Sequence, residues 1–217
     1  MTITAGHIPS LDRDSIEIAI IALRKADPVL GKLIRRVGKC TLEIDAELPP
    51  YASLFRSIVF QQLNGKAAAT ILGRVQALFG GVTPEPALLL AMDEEKLRGA
   101  GLSRNKLLAV RDLASKTIEG LVPDHERITA MPDEAIVEHL TAIRGIGRWT
   151  VEMMLMFRLG RADVLPIDDY GVRRGFQLAF GLDEMPAKRV LKEHGARWAP
   201  HRTVASWYLW RASELAW

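Results

Sequence analysis

Leu140-Thr141-Ala142-Ile143-Arg144-Gly145-Ile146-Gly147-Arg148-Trp149-Thr150, followed by Asp168-Asp169-Tyr170, decides the reading of this 217-residue chain. The first stretch reads as a helix, a tight turn at Gly145-Ile146-Gly147, and a second helix. Two glycines let the backbone take conformations barred to other residues and approach a ligand with no side chain in the way. Ile146 between them plugs the turn into its own core. The N–H groups that open the second helix make an anion site, because helix-start donors and the helix dipole converge there. The pattern suggests a backbone clamp for one phosphate of a nucleic acid. Asp169 lies 22 residues past Gly147, a distance that one helix and a short loop can fold back to the clamp.

Composition bounds the class. At 48% hydrophobic, the chain can bury a sizeable core as one domain or two small lobes. It contains no apolar run of 18 residues, so no membrane span is expected. The opening MTITAGHIPSLDRD shows no basic segment followed by an apolar stretch, so no secretory signal is expected. Cys40 is the only cysteine, which excludes an intramolecular disulfide and a four-cysteine iron–sulfur cluster and fits a reducing cytoplasm. Five histidines, His7, His125, His139, His194 and His201, have no metal-ligand spacing. Net charge is +3 and the isoelectric point about 9.1, which permits nucleic-acid binding without requiring it. Lys66, Arg104, Lys106, Arg148, Arg173 and Arg174 sit beside proposed contact loops; each alone also reads as a solvated surface charge.

The periodicity is helical almost throughout. Helices are expected over Ser15–Lys25, Pro28–Val37, Tyr51–Gln62, Lys66–Phe79, a short piece ending at Ala91, another from Asp93 to Arg98, and Ser103–Glu119. Pro132-Asp133 opens the helix into the hairpin; Arg148–Leu159, Asp169–Ala179, Pro186–Trp198 and Arg202–Leu215 follow. Cys40–Ile44 alternates and reads as an isolated extended piece. About a dozen helices with short connections imply an all-α orthogonal bundle.

Hairpin and downstream aspartate together resemble the helix-hairpin-helix DNA glycosylase superfamily. Four matching segments besides the hairpin narrow the resemblance to its alkylation-repair branch, the 3-methyladenine DNA glycosylase II type. They are Phe60-Gln61-Gln62-Leu63, Gly101-Leu102-Ser103-Arg104-Asn105-Lys106, Pro166–Tyr170 and the tryptophan-rich Arg197–Trp210. The resemblance implies two helical lobes with an active-site cleft between them: residues 1–51 with 163–217 in one, and 52–162 in the other, ending in a helix-hairpin-helix at about 136–158. Some relatives carry an N-terminal β domain; the segment ahead of Gln61 is too short for it, so the compact form is expected.

The resemblance puts the catalytic carboxylate at Asp169, stabilising an oxocarbenium-like sugar and orienting or deprotonating water. Asp168 competes for the role and otherwise caps or braces the next helix. In the bifunctional glycosylase/lyases a lysine at the Trp149 position forms a Schiff base. Tryptophan there implies a monofunctional enzyme that uses water, and an indole wall suits a cationic alkylated purine. Trp210 matches a second pocket tryptophan; Trp207 and Tyr208 flank it, as pocket or as core. Leu63 matches a wedge that fills the stack left by an extruded base, and Gln62 a contact to the orphaned partner base. Gly145, Gly147, Arg148 and Thr150 are the expected phosphate contacts. Lys106 reads equally as a DNA contact or a helix-face charge. The family also implies a monovalent cation held by hairpin carbonyls, Ile143 and Gly145 among them, with no other cofactor required.

The expected function is removal of N3- or N7-alkylpurines from double-stranded DNA by a monomer, as the first step of base excision repair. Two alternatives stand beside it: a glycosylase for etheno or deaminated bases, and a non-catalytic helix-hairpin-helix DNA-binding protein that grips phosphates only.

Overall fold

A computed structural model describes residues 10–215. The opening segment, with its signal-peptide reading and His7, lies outside the described residues up to residue 9. Among the described residues the protein is all-helical: thirteen α-helices, one 3₁₀ turn and no strand. Cys40–Ile44 runs as irregular backbone. None of these helices is long and apolar enough to cross a membrane.

The chain divides into two compact units, one spanning Glu47–Met154, the other formed by the segments that end at Ala46 and begin at Leu155. The first unit holds α3 (Pro50–Phe60), α4 (Gly65–Ala77), α5 (Pro86–Ala91), α6 (Glu94–Gly99), α7 (Arg104–Ile118), α8 (His125–Ala130), α9 (Asp133–Thr141) and the start of α10 (Arg148–Phe157). Its hub is α7, which packs on α3, α5 and α6. Leu54, Phe55 and Ile58 of α3, with Val110 and Leu113 of α7, are among its fully buried side chains. Each such side chain contributes about 1.5–3 kcal/mol relative to exposure. Ser103 caps α7 by accepting from Lys106 N, and Asn64 caps α4 by accepting from Ala67 N. That second cap is why a new helix starts at Gly65; α3 stops at Phe60, short of the expected Gln62, because Gln61 leaves the helical region at ψ 135° and Gln62 turns left-handed.

The second unit holds α1 (Arg13–Ala26), α2 (Pro28–Val37), α11 (Tyr170–Ala179), α12 (Lys188–Gly195), the 3₁₀ turn Ala196–Trp198 and α13 (Arg202–Ala212). Its core joins Leu23, Leu30, Val172, Phe176, Trp198, Tyr208 and Leu209. Helix α11 lies against α13 so closely that a Cβ on Gly175 would meet the Leu209 carbonyl oxygen at 1.8 Å. Asp27 ends α1 and caps α2. Its Oδ1 accepts from Val29 N and Leu30 N, and its Oδ2 from the Trp198 indole at 3.0 Å and His194 Nε2 at 2.7 Å. One buried carboxylate thus ties two helices to the C-terminal segment.

Two further elements differ from the sequence reading. The six-residue α8, capped by Asp124, is too short to show a period. The expected Pro186–Trp198 helix divides into α12 and a 3₁₀ turn at Gly195, where a Cβ would meet Leu165 Cδ2 at 2.4 Å.

Candidate functional site

The hairpin joins α9 to α10 within the first unit. Ile143 and Ile146 are buried, so the turn is anchored by its apolar residues. The two glycines do different work. Gly145 has φ +79°, the left-handed region, and a Cβ there would meet Ala109 Cβ at 3.1 Å. Gly147 has an ordinary φ, and nothing lies within 4 Å of where its Cβ would be. Only the first glycine satisfies a conformational demand; the second keeps the approach to the helix start open. Arg144 N donates to Asp112 Oδ2 at 2.7 Å, and Ile146 N to the Ile143 carbonyl at 3.1 Å. The turn is therefore pinned to α7 and closed on itself.

Around the start of α10, Thr150 is buried, whereas Trp149 is 46% exposed. Arg148 is paired with Glu134 of α9 and lies 4.0 Å from Glu152. Glu152 is buried, but the Glu134 pair is exposed and such a pair is worth little, so a phosphate can compete with Glu134 for the guanidinium. Trp149 lines a groove of about 690 Å³ with Phe60, Gln61, Leu63, Thr150 and Met153. The Arg56 guanidinium stands 4.0 Å over the Phe60 ring. Leu63 is 40% exposed at this groove, on the short loop between α3 and α4. Gln62 has φ +56°, left-handed without being glycine. A second groove, about 380 Å³ and more polar, is lined by Asn105, Lys106 and Arg144, and shares Gln61, Gln62 and Gly145 with the first. Lys106 Nζ donates to the Val59 carbonyl at 2.7 Å, and burial pushes its ammonium pKa down. It thus caps the end of α3 while facing a groove.

Asp169 belongs to the second unit. It is the residue that caps α11: Oδ1 accepts from Val172 N at 2.8 Å and from the Trp210 indole N–H at 2.7 Å. The cap assigned to Asp168 as an alternative is therefore made by Asp169, and Asp168 pairs with Lys188. Trp210 stacks on Phe157 with ring centroids 5.7 Å apart. Gly171 makes room for the arrangement, since a Cβ there would stand 2.7 Å from Trp210 Cδ1 and 3.2 Å from Asp169 Oδ1. Trp207 and Tyr208 lie in the buried core instead, and the Tyr208 hydroxyl donates to the Gly38 carbonyl. Arg173 donates to the Pro186 carbonyl and Arg174 to Gln177 Oε1, so both serve local structure.

Both carbonyls expected to hold a cation already accept a hydrogen bond: Ile143 from Ile146 N, and Gly145 from Gln61 Nε2 at 2.8 Å. Among the described residues no group of three or more His, Cys, Asp or Glu could hold a metal ion. The sequence reading gave no role to Gln61, Phe60, Met153 or Gly171. Met153 had a legible signal, being four residues beyond Trp149 and so on the same helix face.

Residues 55–201 match the HhH-GPD superfamily base excision DNA repair protein family, and the chain belongs to that family. It is 38% identical over 216 residues to DNA-3-methyladenine glycosylase 1 of Schizosaccharomyces pombe, covering 95% of each chain. The structure of the 3-methyladenine DNA glycosylase Mag1 of that yeast, in complex with abasic DNA, superposes with a TM-score of 0.80 at 38% identity. That match covers 92% of this chain and 98% of the other. The DNA-3-methyladenine glycosidase structure from Bacillus halodurans gives 0.82 at 39% identity, covering 90% and 88%.

Proposed function

We propose that this protein is a monofunctional DNA glycosylase. It hydrolyses the N-glycosidic bond of N3- and N7-alkylpurines in double-stranded DNA and so starts base excision repair. The observation that carries the reading is the Asp169 carboxylate, oriented through Oδ1 by the Val172 N–H and the Trp210 indole. A carboxylate fixed in this way meets the positive charge that grows on the sugar as the bond to the base lengthens, and needs no reorganisation at that moment. Alkylation at N3 or N7 makes the purine a cationic leaving group, so the protein has only part of the barrier to lower. Trp149, with no amine to attack the sugar, supports hydrolysis by water and an intact strand at the abasic product. The groove beside it, walled by Trp149 and Phe60, suits an electron-poor base.

In this reading Leu63 fills the gap in the base stack, Gln62 meets the partner base, and Lys106 faces the DNA from the polar groove. The start of α10, with Gly145, Gly147, Arg148 and Thr150, takes a backbone phosphate. Trp210 acts by holding Asp169; Trp207 and Tyr208 support the helix that carries it. A monovalent cation at the hairpin would use the second lone pair of the Ile143 carbonyl, with Gly145 the poorer ligand because Gln61 approaches its oxygen. No other cofactor enters the chemistry. The protein acts as a monomer in the compartment that holds the DNA, the cytoplasm of a cell without a nucleus.

The test is base release from duplex DNA treated with a methylating agent, comparing the wild type with Asp169→Asn. Release of methylated purines by the wild type, a fall of at least about 100-fold in the variant, and strand nicks only after alkali are expected. A folded wild type that binds DNA and releases no base would refute the proposal.

A further inference from the structure

The loop that carries Leu63 is held in an unfavourable backbone state. Gln61 ends α3 at φ −53°, ψ 135°, and Gln62 then turns left-handed at φ +56°, the one described non-glycine residue with positive φ. Such a conformation costs on the order of 1 kcal/mol or more and persists where surrounding contacts over-determine it. A contact that holds the loop comes from the Gln61 side chain. Its Nε2 donates 2.8 Å to the carbonyl of Gly145, 84 residues away in sequence and itself left-handed at φ +79°. The peptide that follows Gly145 is gripped on both sides: Gln61 takes its oxygen, and its N–H, that of Ile146, donates to the Ile143 carbonyl. Gln61 also lies between the two grooves, lining both.

We infer that Gln61 is a positioning residue that locks the Leu63 loop to the hairpin turn. The base-stack wedge and the phosphate clamp then meet DNA as one preset piece. The inference rests on the proposed function, because it assigns Leu63 and the hairpin to DNA. A side chain that only stabilised α3 would reach its own helix; this one spans to the turn whose geometry sets the start of α10. An amide is suited to the task, since a donor is required and glutamate, of the same shape, offers none to a carbonyl.

The experiment measures binding to two duplexes, one undamaged and one holding a tetrahydrofuran abasic analogue, which needs no base release. Proteins are the wild type, Gln61→Ala, Gln61→Glu and Leu63→Ala, and the Gln61→Ala/Leu63→Ala double variant. Loss of one tether is expected to weaken analogue binding by about 3- to 10-fold in both Gln61 variants. Melting temperatures should stay within a few degrees of the wild type. In the Leu63→Ala background, Gln61→Ala should cost less than about twofold, because the wedge it positions is gone. Wild-type affinity in both Gln61 variants, an undiminished cost without Leu63, or equal losses on both duplexes with a large fall in melting temperature would each overturn the inference. A wild type that does not prefer the analogue would instead refute the proposed function, so the two failures are distinguishable.

Discussion

Replacing Gly171 by alanine tests the geometry around Asp169 more sharply than replacing the aspartate. Gly171 sits in the first turn of α11, where alanine is the better helix former by about 1 kcal/mol at most. On propensity alone Gly171→Ala stabilises. The added Cβ, however, would stand 2.7 Å from Trp210 Cδ1 and 3.2 Å from Asp169 Oδ1. Ordinary contact begins near 3.4 Å, so the indole must retreat by about 0.7 Å or more. The indole cannot slide freely, because Phe157 stacks on it at 5.7 Å. Moving it breaks the 2.7 Å bond from Nε1 to the carboxylate. A hydrogen bond to a charged group is worth about 1.5–3 kcal/mol, which outweighs the propensity gain. If the bond orients the carboxylate for the transition state, the same energy appears as a fall of about 10- to 100-fold in single-turnover base release. The comparison variant is Trp210→Phe, which deletes the donor, keeps a ring on Phe157 and adds no clash; it should lose a similar factor. The assay is release of N7-methylguanine from methylated duplex under enzyme excess, with calorimetry for stability. Wild-type release by Gly171→Ala would refute the reasoning. So would a slow Gly171→Ala beside a fully active Trp210→Phe, since the indole hydrogen bond would then not be the cause.

Gly175→Ala should destabilise the second unit by about 3 kcal/mol, because its Cβ would lie 1.8 Å from the Leu209 carbonyl and force α11 off α13. Calorimetry should register this as a drop in Tm of several degrees. The two hairpin glycines should separate by assay. Gly145→Ala pays about 1–2 kcal/mol for its left-handed φ and loses both stability and DNA affinity; Gly147→Ala meets open space, keeps its Tm and loses DNA affinity alone. For Asp27, burial pushes the carboxyl up, but hydrogen bonds from His194, Trp198 and Leu30 outweigh it and hold the group below its ordinary range. A carboxylate lowered on folding adds stability above its unfolded pKa, near 4, and loses it as pH falls through the folded value. Chemical denaturation across pH 2–7 should show that acid loss in the wild type and a flatter profile, from a lower plateau, in Asp27→Asn.

Much of the fold was legible because helices announce themselves by period and cap. Asp93 and Ser103, where the sequence starts two of the helices, cap them through their own side chains. The hairpin was legible because its residues are adjacent in sequence: the apolar Ile146 turned inward and the glycines left the face bare. The same locality explains what was missed. Helix α8 has six residues, fewer than two turns, and no stripe can form in that length. Trp207 and Trp210 share one helix and one residue type. Only the packing of α13 on α11 places the first in the core and the second against Asp169.

The residues that sequence reading passed over share a further property. Gly171 and Gly175 matter for the atom they lack, and the atoms that would collide belong to Trp210 and Leu209, more than thirty positions away. Gln61 matters for a bond to a backbone carbonyl, an acceptor that every residue carries, so nothing at Gly145 marks it as a partner. Side chains that do chemistry are restricted to a few types and can be suspected by type alone. Positioning residues are defined by distance to a partner and become visible only after the chain has folded. A carboxylate could therefore be suspected at Asp168-Asp169-Tyr170, with the family resemblance pointing to Asp169. Its orienting indole needed the packing of α11 on α13, because only there does the absence of a Cβ at Gly171 admit Trp210 to within 2.7 Å of Asp169 Oδ1.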